Sequence, residues 1–339
     1  MVLLIGNFLS RHGFNPTAIE DLEVILLQKY NVKVSSKRKN RIFRLIDMIS
    51  AILYYYKSCR VVIIDVFATQ AILFSFIIII LLRVLKKPYI PVLRGGALPE
   101  VHKKYPFVVK FILDKAACII TPSNFLKNCF TKYDSKIEII PNYIHLNKYT
   151  FRPRTGFKPR LLWVRSIHEI YNPKMAIYVL SEIVETYPDA ELYMVGPIKD
   201  DEIMNELTIL VQRFNLVNNI HFCGQLSKEE WIKLSEDCDI FINTTNYDNH
   251  PVSVIEAMAL GLPVISTNVG GIPYLLEDNR TALFVEKNNY KNMSAKIFSI
   301  TQNKIDTKKI IFSARELVET FDVEKIKYEW FDLIDRVNA

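Results

Sequence analysis

Short apolar runs alternate along the chain with stretches whose apolar positions recur at helical spacing. In the first half, VLLIGNF (2–8), VVIID (61–65), PYIPVL (88–93), CIITPS (118–123) and IEIIPNYI (137–144) read as strands,. Between them the periodicity predicts helices from Ala18 to about Tyr30, over the basic stretch 37–57, over 66–82 and over 105–117. A second alternation begins at RLLWV (160–164). It continues through AELYMVG (190–196), IHFCG (220–224), DIFINT (239–244), PVIST (263–267) and ALFV (282–285). Helices are expected there from about Pro173 to Thr186 and over 201–214, 227–237, 252–260 and 272–277. Pro153, Gly156 and Pro159 interrupt any period in YTFRPRTGFKPR (149–160), which reads as a linker,. Strands separated by helices imply parallel sheets covered on both faces. The expected class is α/β, with two doubly wound, Rossmann-like domains facing across a cleft, one over 1–153 and one over 154–322. No fixed-period repeat is present.

One expected helix is ambiguous in kind. VFATQAILFSFIIIILL (66–82) is seventeen residues without a charge, followed by Arg83, Lys86 and Lys87. A bilayer span needs about 20 apolar residues. This run is slightly short, contains Thr69, Gln70 and Ser75, and lies between two strand-like runs. Strand, helix and strand in succession form a β-α-β unit. The expectation is therefore a crossover helix buried against a sheet, with a membrane-embedded helix as the alternative.

Composition adds limits. With 339 residues, half of them apolar, the chain can bury two cores,. The five cysteines, Cys59, Cys118, Cys129, Cys223 and Cys238, are scattered and lack ligand spacing. They suggest a reducing, cytoplasmic setting without disulfides or zinc. MVLLIGNF enters a strand pattern directly, which argues against a secretion signal,. Residues 1–150 carry 22 Lys and Arg against 9 Asp and Glu, net +13, and residues 151–339 carry 21 against 27, net −6. A basic half of this kind suits nucleic acid or an anionic membrane leaflet. KRKNRIFRLIDMISAILYYYK (37–57) and YPFVVKFILDKA (105–116) interleave cations with apolar and aromatic side chains, which favours the membrane,. A pair of solvated helix faces is the plain alternative.

Ligands of doubly wound sheets bind beyond the carboxyl ends of the strands, at helix N-termini. DNHPVSVIE (248–256) lies there, after DIFINT, with Pro251 suited to the first helical position and Pro263 marking the stop,. The leading amides of that helix, Val252 and Ser253, can face an anion. Asp248 in the loop and Glu256 one turn inside the helix could hold two ends of one elongated ligand. They could also form an acid-base pair across a reacting bond. The plain alternative makes Asp248 an Asx turn and Glu256 a surface acid, which suits Glu256 poorly among Val254, Ile255, Ala257 and Met258.

DNHPVSVIEAMALGLPVISTNVGG (248–271) resembles the signature of the family 4 retaining glycosyltransferases, in which two acids with seven residues between them lead into a helix, a Gly-Pro strand start and a glycine pair. GNFLSRHGFNP, RGGALPE, IIPNYIHLNKY and FCGQLSKEEW extend the resemblance, in order, over nearly the whole chain. It implies the GT-B fold, a nucleotide-diphosphate sugar held mainly by the second domain, an acceptor held mainly by the first, and retention at the anomeric carbon. It implies that the terminal helix VEKIKYEWFDLIDRV, in 323–339, returns to the first domain. By position Glu256 would bind the ribose diol and Asp248 the donor sugar, with Asn249, His250, Val252 and Ser253 near sugar and phosphates. Family members usually carry Glu at the first acid and glycine after it, so Asp248 and Pro251 change the sugar grip. Arg165 matches the arginine that meets the departing diphosphate. Ile170 and Tyr171 stand where a lysine is expected, and Lys174 is a possible substitute a helical turn away. Gly196 and Gly224 would permit close approach at strand ends, Leu226 would lie near the base, and Gly6 and Asn7 would approach the diphosphate. Arg94 stands where the family often has histidine, and would bind a phosphate or serve as a structural ion-pair partner.

No metal or other cofactor is expected, the nucleotide-diphosphate sugar being a co-substrate. Asp237 and Asp239 match an Asp-x-Asp pattern but straddle a helix end and a strand start, and the histidines lack metal spacing,. The resemblance implies front-face displacement, with the acceptor hydroxyl deprotonated by the departing phosphate. The expected activity is sugar transfer to a lipid-linked or polysaccharide acceptor at the cytoplasmic face of a membrane. Rival readings are a sugar-nucleotide 2-epimerase of the same fold and a catalytically weak, membrane-associated scaffold that binds a sugar nucleotide. Nucleic-acid binding explains the basic half but neither the acid pair nor the two-domain pattern.

Overall fold

The computed structural model of the protein describes residues 1–10, 16–68 and 71–338. The chain divides into two compact units, Met1–Asn142 with Val323–Ala339, and Tyr143–Asp322.

The first unit holds a six-stranded parallel sheet of β1 (Val2–Ile5), β2 (Val32–Ser35), β3 (Val61–Val66), β4 (Tyr89–Leu93), β5 (Ile119–Thr121) and β6 (Ile137–Ile139), in the order β2-β1-β3-β4-β5-β6. Strands β1, β3 and β4 are buried at every position, as continuous apolar runs covered on both faces must be,. Helix α1 (Ala18–Leu26) starts at a capping box of Thr17 and Glu20, and α2 (Arg41–Tyr55) at Asn40, whose side chain accepts from the Ile42 and Phe43 amides,. Helices α3 (Ala71–Val84), α4 (Leu98–Lys104), α5 (Pro106–Asp114) and α6 (Asn124–Cys129) follow.

Three boundaries differ from the sequence pattern. Val66 belongs to β3, so the apolar helix begins at Ala71 and runs to Val84, while Thr69 and Gln70 lie outside the described residues. The stretch expected as one helix over 105–117 ends at Asp114, and α4 precedes it. Strand β2 was not marked by the pattern. It is a four-residue edge strand with Lys33 exposed, and a strand paired on one side only needs no continuous apolar run,. Among the described residues no helix is long and apolar enough to cross a membrane.

The second unit holds β7 (Arg160–Val164), β8 (Glu191–Val195), β9 (Ile220–Gly224), β10 (Ile240–Asn243), β11 (Val264–Thr267) and β12 (Leu283–Val285), parallel in the order β12-β11-β10-β7-β8-β9. Its helices are α7 (Pro173–Val184), α8 (Asp201–Arg213), α9 (Lys228–Leu234), α10 (Val252–Ala259), α11 (Ile272–Leu275), α12 (Tyr290–Thr301) and α13 (Thr307–Val318). The last two lie beyond the elements named from sequence, and α12 buries Met293, Ile297 and Ile300 against the core. The proline- and arginine-rich passage is pinned within this unit. The Arg154 guanidinium donates to the carbonyls of Cys238 (3.1 Å), Leu260 (3.0 Å) and Ser235 (2.5 Å).

The terminal helix α14 (Val323–Asn338) belongs to the first unit. Trp330, Leu333 and Ile334 are buried, Lys29 pairs with Asp335 at 2.6 Å, and Arg336 pairs with Glu138 at 2.5 Å. In both sheets the chain starts in the middle, builds one side and then returns to build the other. The strand order therefore reverses between β1 and β3, and between β7 and β10.

Candidate active site

At the point of reversal in a doubly wound sheet, the flanking loops leave in opposite directions and open a crevice for a ligand. In the second unit that point lies at the carboxyl ends of β7 and β10. The two loops are tied together there. The Trp163 indole donates to the Thr244 hydroxyl (2.9 Å), that hydroxyl donates to the Tyr171 carbonyl (2.8 Å), and the Asn246 amide donates to the Ile170 carbonyl (2.7 Å).

Arg165, the first residue after β7, donates through Nη2 to Asp248 Oδ2 at 2.6 Å. The two side chains are 13% and 14% exposed, so the pair is largely withdrawn from water. Asp248 Oδ1 also accepts from the Asn249 amide (2.8 Å). Tyr171 lies under Arg165, its ring centroid 5.2 Å from the guanidinium carbon, and burial pushes its phenol up in pKa. Thus the residue standing where a lysine was expected supplies a π face to the arginine instead.

The loop around Asp248 is held by the glycine pair. The Gly271 amide donates to the Asp248 carbonyl (3.0 Å). A Cβ on Gly271 would fall 1.8 Å from the Asn249 oxygen, and one on Gly270, at φ +54°, would fall 2.2 Å from the Asp248 oxygen. Only glycine lets the backbones approach this closely. Pro251 forms the N-cap of α10, one position earlier than the sequence suggested, and the first helical residues are Val252 and Ser253. Their amides have no intrahelical acceptor. The Ser253 hydroxyl is buried without a hydrogen-bond partner among the described residues.

Glu256 is 2% exposed within α10. Its Oε1 accepts from the Tyr149 hydroxyl at 2.7 Å and from Lys228 Nζ, so the carboxylate is oriented by a phenol and an ammonium. Neither partner was singled out from sequence, although both lie in quoted motifs. They stand 107 and 28 positions from Glu256, and no local periodicity reports such contacts. His250 is buried edge-on against Phe321, with ring centroids 5.1 Å apart, and burial pushes its imidazole down to a pKa of about 3. It is therefore neutral.

The other singled-out residues are placed as follows. Gly196 packs on the Arg165 backbone, where a Cβ would meet the Arg165 oxygen at 1.9 Å, while Gly224, at φ +65°, faces open space. Leu226 packs against the cluster around α10. Lys174, in the first turn of α7, pairs with Glu206 of α8. Asp239 is held by both Nε (2.7 Å) and Nη2 (3.0 Å) of Arg160. In the first unit, Arg94 pairs with buried Asp65 at 3.0 Å and donates to Asn142 at 2.9 Å, which places it in a structural ion pair. Burial raises the Asp65 carboxyl and the Arg94 charge opposes that rise. Gly6 follows β1, and the Asn7 side chain accepts from Arg44 Nη1 at 2.7 Å. Of the loop SRHGFNP, residues 11–15 lie outside the described residues.

A largely shielded cation, a carboxylate paired to it, a helix start and an oriented acid thus line the reversal point of one sheet. Residues 150–317 match the family model described as glycosyl transferases group 1. The second unit is a group 1 glycosyltransferase domain. Its similarity to poly(ribitol-phosphate) alpha-N-acetylglucosaminyltransferase of Staphylococcus aureus is 26% identity over 146 residues, 42% of this chain and 28% of that protein. Across curated relatives the aligned stretches span 28% to 56% of their length. The fold of the whole chain is that of solved GT-B glycosyltransferases. Sucrose-phosphate synthase of Thermosynechococcus elongatus matches with TM-score 0.83 at 17% identity, covering 99% of this chain and 98% of that one. Anabaena HepE, solved in complex with UDP, matches with TM-score 0.78 at 15% identity over 99% of both chains. The glycosyltransferase domain therefore contains the Arg165–Asp248 pair, the glycine pair and Glu256.

Proposed function

We propose that the protein transfers a sugar, with retention, from a nucleotide-diphosphate sugar to a lipid-linked or polysaccharide acceptor at the cytoplasmic face of a membrane. The observation that carries this reading is the Arg165–Asp248 pair beside the start of α10, one helical turn from buried Glu256.

Each part answers to one portion of such a donor. Two carboxylate oxygens suit the vicinal diol of a ribose, and Glu256 is aimed by Tyr149 and Lys228 rather than by water,. The departing diphosphate gathers negative charge as the glycosidic bond breaks. Arg165, the leading amides of α10 and the Ser253 hydroxyl are fixed donors for that charge, and one such donor is typically worth about 3 kcal/mol in the transition state,. Asp248, exchanging part of its bond with Arg165 for a sugar hydroxyl, would orient the ring. The acceptor hydroxyl would attack from the face the diphosphate leaves, its proton passing to the leaving phosphate oxygen. Gly6 and Asn7 would approach the diphosphate, and Lys174 would reach it only after leaving Glu206. No metal is part of this reading. The polymer named for the Staphylococcus aureus relative and the UDP named for Anabaena HepE support the acceptor and donor classes.

The test is incubation with a panel of radiolabelled nucleotide-diphosphate sugars and a lipid extract. At least one sugar should enter the lipid or polymer fraction with release of nucleoside diphosphate. Nucleotide binding without transfer from any donor would sink the proposal.

A further inference from the structure

In the first unit, α2, α3 and α5 stand side by side, and their outward faces are not those of a solvated surface. On α3, Leu73 (52% exposed), Ile77 (39%), Ile80 (40%) and Val84 (74%) fall at helical spacing and form one stripe,. The opposite stripe, Ile72, Ile78, Ile79 and Leu82, is buried in the core. On α2 a second outward stripe contains Ile42, Phe43, Ile46, Leu53 and Tyr54, all at least half exposed. Phe107 of α5 (68% exposed) lies edge-on to Phe76 of α3 and extends the apolar surface across the third helix. Soluble proteins rarely leave contiguous apolar patches of this extent uncovered.

Charge distinguishes the occupants. Arg41 and Lys57 flank the α2 stripe, Lys86 follows α3, and Lys103, Lys104 and Lys110 border Phe107, all exposed. Glu100 of α4 is exposed and pairs with Lys103 at 3.1 Å. In the three helices the acids are Asp47 and Asp114. They are half-buried and accept from the Ser35 hydroxyl (3.1 Å) and the Tyr133 hydroxyl (2.8 Å). The face is thus apolar at its centre and cationic at its rim.

We propose that this three-helix face docks on an anionic phospholipid bilayer, inserting Phe43, Ile77 and Phe107 at the boundary between headgroups and acyl chains and setting the cations against the headgroups. A helix with one buried and one outward apolar stripe explains the uncharged run of α3 without a membrane crossing. Apolar insertion and headgroup charge act together in such binding. Two apolar copies of the face could bury each other, but that would bring the cationic rims together without counter-charge.

The proposal goes beyond the transfer reaction and is tested without it. Wild-type protein should sediment with vesicles of phosphatidylglycerol and phosphatidylcholine at least tenfold more strongly than with pure phosphatidylcholine vesicles. Salt at about 0.5 M should weaken that binding. Leu73→Glu with Ile77→Glu should lower it at least tenfold with unchanged circular dichroism and nucleotide affinity. The gentler pair Lys104→Gln with Lys110→Gln should lower it about 25-fold, roughly fivefold per cation. Failure of the wild type to bind anionic vesicles would overturn the proposal, as would folded variants that bind like wild type. So would a wild-type dimer that the same apolar substitutions dissociate.

Discussion

Arg165 and Asp248 are 83 positions apart and meet through a 2.6 Å charge-assisted hydrogen bond. Because both are largely withdrawn from water, each is the other's principal counter-charge. The two should therefore act as a unit. Arg165→Met and Asp248→Asn are each expected to lower kcat about 10²-fold, and the double variant should be far less than 10⁴-fold impaired. Steady-state kinetics on the four proteins checks this, with additive losses showing that the pair is not a functional unit.

Glu256 is held by two long-range partners, and removing one should loosen its aim without removing its charge. Tyr149→Phe deletes a hydrogen bond to a charged group, worth about 1.5 to 3 kcal/mol,. Nucleoside diphosphate affinity should fall roughly tenfold by calorimetry, with little change in kcat at saturating donor. An unchanged dissociation constant would mean that Tyr149 does not position the acid.

The loop that carries Asp248 depends on two backbone approaches. Gly271→Ala puts a methyl into the Asn249 carbonyl and must displace the loop, so thermal stability and donor affinity should both fall, the latter more than tenfold. Gly224→Ala meets no atom within 4 Å and bears only the left-handed backbone cost, about 1 kcal/mol,. Melting curves and nucleotide titrations should separate the two.

His250 gives a pH signature. Its folded pKa, about 3, lies below the ordinary 6.5, so between those values the unfolded chain binds a proton that the folded chain does not. Its contribution to stability is complete above about pH 6.5 and is lost as pH falls toward 3. At pH 5 the loss is about 2 kcal/mol. Tm should fall on acidification more steeply for wild type than for His250→Gln. Parallel curves would contradict the neutral, buried imidazole.

The legible part of this molecule was local. The β-α alternation predicted two parallel sheets, and the spacing from Asp248 to Glu256 fits one loop and the first turns of one helix, because those residues are close neighbours along the chain. The Arg165–Asp248 pair, the Tyr149 and Lys228 contacts to Glu256 and the Arg154 anchor join elements that come together only when the sheet forms. Burial of α3 was legible from its run, but its outward stripe was not, since Ile77 and Ile78 are identical in sequence and opposite in environment.

The central claim is that Glu256 holds the ribose and Arg165 the diphosphate of one nucleotide-diphosphate sugar. Titration of wild type, Glu256→Gln and Arg165→Met with nucleoside monophosphates and diphosphates of each base tests it most directly. One base should bind best. Glu256→Gln should weaken its monophosphate and diphosphate alike by about tenfold or more, whereas Arg165→Met should weaken chiefly the diphosphate. Binding of no nucleotide, or losses that ignore the number of phosphates, would contradict the account.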